Sequence, residues 1–248
     1  MGGIMDTRLQ TESLGRIQLP PPYTLHPSTG PDVIAQAMAL APTEGAGTLV
    51  CHASAGLLSL ALVLEPTQKL EEAQMAFALG MAALADALAA HCPPERAVRL
   101  VWPDEIRYDK ARIGGGRFAV APGTGPQDVP VWLVFAAELI ADRDHLVEPG
   151  DYPDSTSLKE EAFDPAEEII ATFASYVMLY FDRWTHDGLA SVTNRYLMRI
   201  DPPLLRGVRR IEGDRLVEIS PTGGVKRSDA LLDAVNASGW RDDKGPVL

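Results

Sequence analysis

The order of the predicted elements is the feature that most constrains the fold of this 248-residue chain. β-rich runs predict a hairpin with strands over 47–53 and 57–65, then short strands over 98–102, 106–108 and 113–121, and an apolar strand over 130–141. These strands form a block between helical segments and do not alternate strictly with helices. We therefore predict an α+β fold with a mostly antiparallel sheet flanked by helices.

Three helical regions complete this prediction. A helix with an imperfect apolar stripe should begin near Pro31 and end at Pro42, and a clear amphipathic helix should cover 69–90. Asp164 is the expected N-cap of a long late helix that ends at Gly188, and a shorter helix over 189–198 should follow it.

The chain divides into three parts by pattern. Residues 1–18 are polar and aperiodic, which predicts a flexible arm, and 19–201 holds the helices and the main sheet. Two prolines after Asp201 indicate a boundary, and short strands over 206–211 and 215–219 then predict a small β-rich domain over 202–248. A segment of about 45 residues is thin for an independent core, so we expect it to dock on the larger domain.

Composition excludes several classes of function. The net charge of -12 disfavours non-specific binding to nucleic acid and to anionic membranes, since both would repel such a surface. The longest apolar run, 129–141, has 13 residues and contains Glu138, so it is too short to span a bilayer. With only Cys51 and Cys92 and no secretory signal, we expect a soluble protein in the reducing cytoplasm.

Common catalytic motifs are missing from the sequence. There is no phosphate-binding P-loop, and a dinucleotide fingerprint fails because Ala119 stands where its third glycine belongs. The five histidines have no paired spacing for a metal, so no tightly bound metal is predicted, although the acidic loop 142–145 could hold a cation. His52 replaces the glycine that a serine-nucleophile turn needs before Ser54.

The stretch 102–117 differs most from core-building sequence. Trp102 and Asp104 are followed by a cationic segment in which Gly114, Gly115 and Gly116 lie between Arg112 and Arg117. Cations beside bare backbone amides suit an anionic or strongly polar ligand, whereas a glycine triplet on its own also fits a bulge or a turn. Glu138 in the apolar strand is either a pocket carboxylate with a charged partner or a residue at the sheet margin.

With these elements in order, the chain resembles the biotin and lipoate protein ligase family over roughly 19–199. Trp102-Pro103-Asp104-Glu105 is similar to that family's W-P-N-D segment, and Arg112-Ile113-Gly114-Gly115 is similar to its K-[LV]-[AG]-G motif. Ser155 to Glu161 resembles the T-S-L-x-E-E turn before the late helix. The segment after 201 looks like the small β appendage found behind such domains.

The resemblance implies an acid, either biotin, lipoate or a medium-chain fatty acid such as octanoate, activated with ATP and Mg²⁺ as an acyl-adenylate. The acyl group would pass to a lysine of a biotinyl or lipoyl carrier domain. Arg112 and Lys110 would be the catalytic cations, since Lys110 precedes Arg112 by two residues and would share its strand face. Ligand-binding residues would be Trp102, Asp104, Gly114, Gly115, Gly116 and Arg117.

Two departures from the family pattern leave the function open. Arg112 stands in place of the family's lysine, and the hairpin over 51–58 lacks the G-R-G-R-x-G-type loop that covers the adenylate. An alternative to the ligase is therefore a non-catalytic module of the same fold, a pseudoenzyme that binds the acid or the carrier. A purely structural role for the basic stretch is the third possibility.

Overall fold

The structure is a computed structural model that describes Leu14 and residues 17–248. Most of the arm predicted over 1–18 therefore lies outside the described residues, although Leu14 is fully buried in the main core. The predicted α+β class is confirmed, because a seven-stranded sheet is flanked by helices and accompanied by small antiparallel sheets.

The main sheet has the strand order β1-β2-β3-β7-β6-β5-β4. β1 pairs with β2 in parallel and every other pairing in this sheet is antiparallel. The strands are β1 (Thr24–Pro27), β2 (Thr48–Ala53), β3 (Leu57–Leu64), β4 (Val98–Val101), β5 (Glu105–Tyr108), β6 (Ala111–Val120) and β7 (Leu133–Ile140). The predicted hairpin at 47–65 is confirmed, with residues 54–56 as its turn.

Helices cover both faces of this sheet to different extents. They are α1 (Val33–Glu44), α2 (Leu70–Ala73), α3 (Ala76–Ala90), α4 (Ala166–Asp187), α5 (Leu189–Arg199) and α6 (Leu231–Asn236). The prediction that Pro42 ends the first helix is wrong, since α1 continues to Glu44 with Pro42 in its last turn. Pro165, not Asp164, occupies the N-cap of α4, and the Asp164 carboxylate instead contacts His91.

One face of the sheet, called the α3 face here, packs against α3, α4 and α5. The fully buried residues Phe77, Phe135 and Phe173 lie in this large core. The opposite face, called the α1 face, has a smaller core in which Val50, Ala61 and neighbouring apolar residues contact α1. That smaller core extends over only part of the α1 face. Another part of the chain packs on the remaining area of this face.

The last part of the chain supplies that cover. β8 (Val208–Glu212), β9 (Arg215–Ile219) and β10 (Val225–Arg227) form an antiparallel sheet whose first strand contacts α5. Beyond α6, β11 (Arg241–Asp242) and β12 (Gly245–Pro246) form a short hairpin, and β12 contacts β6 and β7 of the main sheet. The chain thus reaches both faces of the larger sheet.

Among the described residues, one helical stretch, Leu70–Ala90, is long and apolar enough by composition to cross a membrane. Of the residues in its most apolar window, 83% are buried inside the protein. This burial is what the central helix of a packed core requires. The prediction of one amphipathic helix over 69–90 is wrong in two respects, since α2 and α3 are separate helices and α3 is buried on almost every side.

Candidate functional site

A row of polar residues crosses the α1 face beside the part that α1 covers. Cross-strand pairing places His52 opposite Ser59, Ser59 opposite Glu138, Glu138 opposite Gly115, and Gly115 opposite Glu105. Directly paired residues project from the same face of a sheet, so these side chains line one continuous strip. Four of the five members carry polar side chains, which is unusual for a strip this buried.

Two carboxylates on this face each lie between two arginines. Glu105 accepts from Arg107 Nε at 2.7 Å and from Arg112 Nε at 3.2 Å through the same oxygen. Glu138, whose side chain is only 5% exposed, accepts from Arg117 Nη1 at 2.8 Å and from Arg241 Nε at 3.1 Å. In the Glu105 cluster two guanidinium groups share one carboxylate, so an excess positive charge remains. In the Glu138 cluster Arg117 also lies 4.0 Å from Asp32, so the charges balance.

Glu138 therefore belongs to the interior of the site. The alternative that placed it at the sheet margin is wrong, because β7 lies between β3 and β6. Burying a lone carboxylate would cost several kcal/mol, and two arginines offset that cost here. The expectation that an inward-facing Glu138 needs a charged partner is confirmed.

The three glycines of β6 serve three different physical purposes. Gly114 has φ +150° and its missing Cβ would lie 2.1 Å from the Glu138 carbonyl oxygen, so it permits close approach of the two backbones. A Cβ on Gly116 would lie 2.4 Å from Met81 Sδ on the α3 face. A Cβ on Gly115 would lie 2.5 Å from two ring atoms of Trp240 on the α1 face. Only Gly115 therefore opens the strip to an occupant.

Trp240 fills the space above Gly115. Its indole Nε1 donates to Asp104 Oδ2 at 3.0 Å, and Ser238 Oγ donates to Asp104 Oδ1 at 2.9 Å. The Asp104 backbone carbonyl also accepts from the amide of Gly116 at 2.7 Å. Burial raises the pKa of the Asp104 carboxyl from its ordinary 3.8 to about 7, against the opposing effect of these two donors.

Residues 238–247, called the cover segment here, close the strip. Trp240 lies over Gly115, Arg241 binds Glu138, and the carbonyl of Val247 accepts from Arg112 Nη1 at 3.0 Å. A cavity of about 270 Å³ remains between this segment and the sheet. Its lining is polar, with three acidic and three basic residues: Asp32, Glu138, Asp243, Arg117, Arg241 and Lys244.

The structure brings Asp104, Arg112, Gly115 and Arg117 together on the α1 face. Lys110 is elsewhere: it lies exposed in the turn between β5 and β6, and β6 begins only at Ala111. The premise that Lys110 and Arg112 share a strand face is therefore wrong. The bulge in the β5–β6 pairing lies between Arg112 and Gly114, whereas the three glycines pair with β7 in regular register.

Trp102 lies apart from this group as well. Its ring makes an edge contact with Tyr196 of α5, with centroids 5.9 Å apart, so it packs on the side of the α3 face. Its indole nitrogen is buried without a hydrogen-bond partner among the described residues, and the same holds for Ser59 Oγ in the polar strip. Buried orphan groups of this kind are rare and call for a physical explanation.

Possible metal-ligating groups have protein partners. His91, Asp164 and Glu168 lie close enough to share an ion, but His91 Nδ1 contacts Asp164 at 2.9 Å and Nε2 contacts Thr172 at 2.7 Å. In the acidic loop, Asp142 and Asp144 both bind Lys159. Both groups therefore have structural roles that need no cation.

Sequence patterns missed the cover segment. Trp240, Arg241 and Ser238 lie more than 100 positions from the carboxylates they contact, and no spacing signal connects residues so distant. Glu105 belongs to the W-P-D-E segment, but the sequence motif alone implies no role for it. Its position opposite Gly115 follows only from the strand register.

The described fold is that of the catalytic domain of biotin ligases, a mixed seven-stranded sheet flanked by helices. Residues 19–198 match the sequence model of the Biotin/lipoate A/B protein ligase family. The chain therefore belongs to that family, and the predicted resemblance is confirmed. Among curated protein sequences, none matches this chain.

Solved structures agree on the fold. A biotin protein ligase-like protein of unknown function from Silicibacter sp. TM1040 is 24% identical, with 88% of this chain and 98% of that chain covered and a TM-score of 0.71. Apo biotin protein ligase from Aquifex aeolicus is 12% identical over 83% and 95% of the two chains, with a TM-score of 0.60. Biotin protein ligase from Leishmania major in complex with biotinyl-5-AMP is 16% identical over 85% and 100%, with a TM-score of 0.52.

ATP and Mg²⁺ are implied by this family, and the residues around Gly115 do not fit a triphosphate. The four arginines beside the strip already pair with Glu105 and Glu138, and Asp104 adds a third carboxyl group. The turn at 54–56 is also too short to fold over a nucleotide. The excess positive charge suits one carboxylate better than several phosphates.

Proposed function

We propose that this protein binds a small carboxylic acid of the biotin, lipoate or medium-chain type on the α1 face, without activating it as an adenylate. The observation that supports this proposal is the cluster in which Arg107 and Arg112 share the carboxylate of Glu105. This cluster retains a cation that a ligand carboxylate would neutralise. The partner that we propose for the bound acid is a biotinyl or lipoyl carrier domain.

In this proposal Arg112 receives the carboxylate of the ligand. Its side chain is 15% exposed, and its planar guanidinium offers donors beyond the one given to Glu105. Gly115 gives the ligand room to lie against the backbone, since any side chain there would fill the space. Residues 19–201 would form the ligand-binding domain and 202–248 a second, smaller domain.

A calorimetric comparison tests the proposal. We expect one of biotin, lipoate and octanoate to bind without ATP, and Arg112→Ala to weaken that binding by tenfold or more, because one charge-assisted pair is lost. The exposed Arg206, outside the strip, provides the matched control Arg206→Ala, which should leave the affinity unchanged. If none of the three acids binds to the wild type or to a folded variant with an opened site, the proposal fails.

A ligase is the second candidate, because the family match covers the segment in which Arg112 replaces the lysine. Arg112 Nη1 is held by the Val247 carbonyl in the cover segment, so displacement of that segment would release a cation. Incubation with ATP, Mg²⁺, each acid and a biotinyl or lipoyl acceptor domain distinguishes the two. An acylated acceptor would establish the ligase, whereas binding without acylation supports the binding module.

A further inference from the structure

The cover segment contacts four groups of the candidate site on the α1 face. Trp240 is 2% exposed and lies against Gly115, while its N–H satisfies the Asp104 carboxyl. Arg241 binds the buried Glu138, and the carbonyl of Val247 binds Arg112. An aromatic ring and two polar contacts from one segment therefore occupy the part of the candidate site around Gly115 and Asp104.

The segment has little regular structure of its own to hold it in place. β11 and β12 pair through two residues each, and the amide of Val247 returns to the Trp240 carbonyl at 2.9 Å. Such a short two-stranded hairpin is marginally stable without other contacts. Its position therefore depends mainly on the groups of the strip that it covers.

We propose that Trp240 is an intramolecular competitor of the ligand, with its indole in the subsite formed by Gly115 and Asp104. This inference rests on the proposed function, because the site that Trp240 fills is the one assigned to the acid. A ligand binds only when the cover segment leaves, so its apparent affinity is reduced by the fraction of molecules that are open.

The chemistry of Trp240 also defines the kind of ligand head group. The indole is a fused bicyclic ring that donates one N–H to a buried carboxyl group. The head group of biotin, a cyclic urea fused to a sulfur-containing ring, is likewise bicyclic and carries N–H donors, so it satisfies Asp104 when Trp240 leaves. The dithiolane of lipoate and the chain of octanoate have no donor there, and they would leave the carboxyl unpaired.

Calorimetry on the full chain tests this competition. Trp240→Ala should bind biotin at least tenfold more tightly than the wild type, and Trp240→Phe should show a smaller gain because a ring is retained without its N–H. Trp132→Ala is the matched control, since Trp132 is also buried on the α1 face but packs in the smaller core near α1. It should not tighten binding.

Hydrogen exchange provides a readout that needs no variant. Saturating biotin should accelerate exchange of the Val247 amide, which the cover segment protects through Trp240. If Trp240→Ala proves unfolded, Trp240→Phe and this measurement decide the question. Unchanged exchange in the ligand-bound wild type overturns the proposal.

The outcomes also separate the two proposals. Equal affinity of the wild type and folded Trp240→Ala for an acid overturns the competition but leaves the binding function intact. Binding by Trp240→Ala and not by the wild type supports both. No binding of biotin, lipoate or octanoate to either folded protein overturns both.

Discussion

The indole N–H of Trp240 donates to the carboxyl of Asp104 at 3.0 Å, although the two residues are 136 positions apart. This bond joins the hairpin after α6 to the turn that precedes β5. It closes the α1 face over Gly115 and buries the carboxyl group. This long-range contact therefore affects both the access of a ligand to the strip and the pKa of the Asp104 carboxyl group.

The stability of the protein should depend on pH through Asp104. Its pKa is about 7 in the folded protein against an ordinary 3.8, so the folded state binds the proton more tightly over that interval. Unfolding free energy should therefore fall as pH rises from about 4 to about 7, by up to about 4 kcal/mol at about 1.4 kcal/mol per pKa unit. Urea unfolding at several pH values measures this slope.

Asp104→Asn is the comparison for that experiment. Glu105 opposes ionisation of Asp104, while Ser238 and Trp240 favour it, and these groups remain in the variant. The unfolding free energy of the wild type relative to Asp104→Asn should therefore rise steadily as pH falls from about 7 to about 4. A difference that is independent of pH would contradict the assignment of a raised pKa.

Loss of the Glu138 charge should destabilise the fold. Glu138→Gln leaves Arg117 and Arg241 without their shared carboxylate in a largely buried position, which should cost about 3 kcal/mol. Glu72→Gln, on the exposed surface of α2, should change the stability by less than about 0.5 kcal/mol. Chemical denaturation of both variants gives the comparison, and equal stabilities would show that the buried pairs contribute little.

A side chain at Gly116 should disturb the α3 face. The added Cβ of Gly116→Ala would lie 2.4 Å from Met81 Sδ and 3.0 Å from a ring atom of Phe77, which should cost about 1–3 kcal/mol. Gly30→Ala is the control, because nothing lies within 4 Å of its added Cβ. Thermal unfolding should show a lower midpoint for the first variant and almost no change for the second.

Removal of the Ser59 hydroxyl should stabilise the protein. Ser59 is fully buried and its Oγ has no hydrogen-bond partner among the described residues. Ser59→Ala therefore removes an unsatisfied polar group whose burial costs about 1 kcal/mol. Ser157 is equally buried, but its Oγ donates to Glu160 at 2.9 Å. Ser157→Ala should therefore destabilise, and a loss of stability for both would indicate that Ser59 has a partner.

Several elements were predictable because their signals are local. The hairpin over 48–64 and the long helix α4 agree with the predictions to within a few residues, since strand propensity and helical periodicity act over short distances. Helix α1 was predicted too short. Pro42 lies in its final turn, and the helix continues beyond this proline to Glu44. α6, β11 and β12 carry too few residues for a periodic pattern, and they were missed.

The site was predictable only in part. A motif within one strand identified Arg112, Gly115 and Arg117. The strand register in the folded sheet places Glu105 and Glu138 beside them. Lys110 was assigned to the same strand face, but the chain turns at that position. The bulge in the β5–β6 pairing shifts the register of these strands by one residue. A side chain beyond the bulge therefore projects from the opposite face to the one that an unbroken strand would give.

The sequence by itself determined the order of helices and strands, the family, and the presence of cations beside bare glycines in one stretch. Only the tertiary structure decided which of these groups meet and what covers them. Periodicity and motif spacing report contacts within a strand or helix, whereas Trp240 and Arg241 reach Asp104 and Glu138 through packing between distant parts of the chain. Contacts of that kind depend on the whole fold, because they form only when the sheet and the cover segment are both in place.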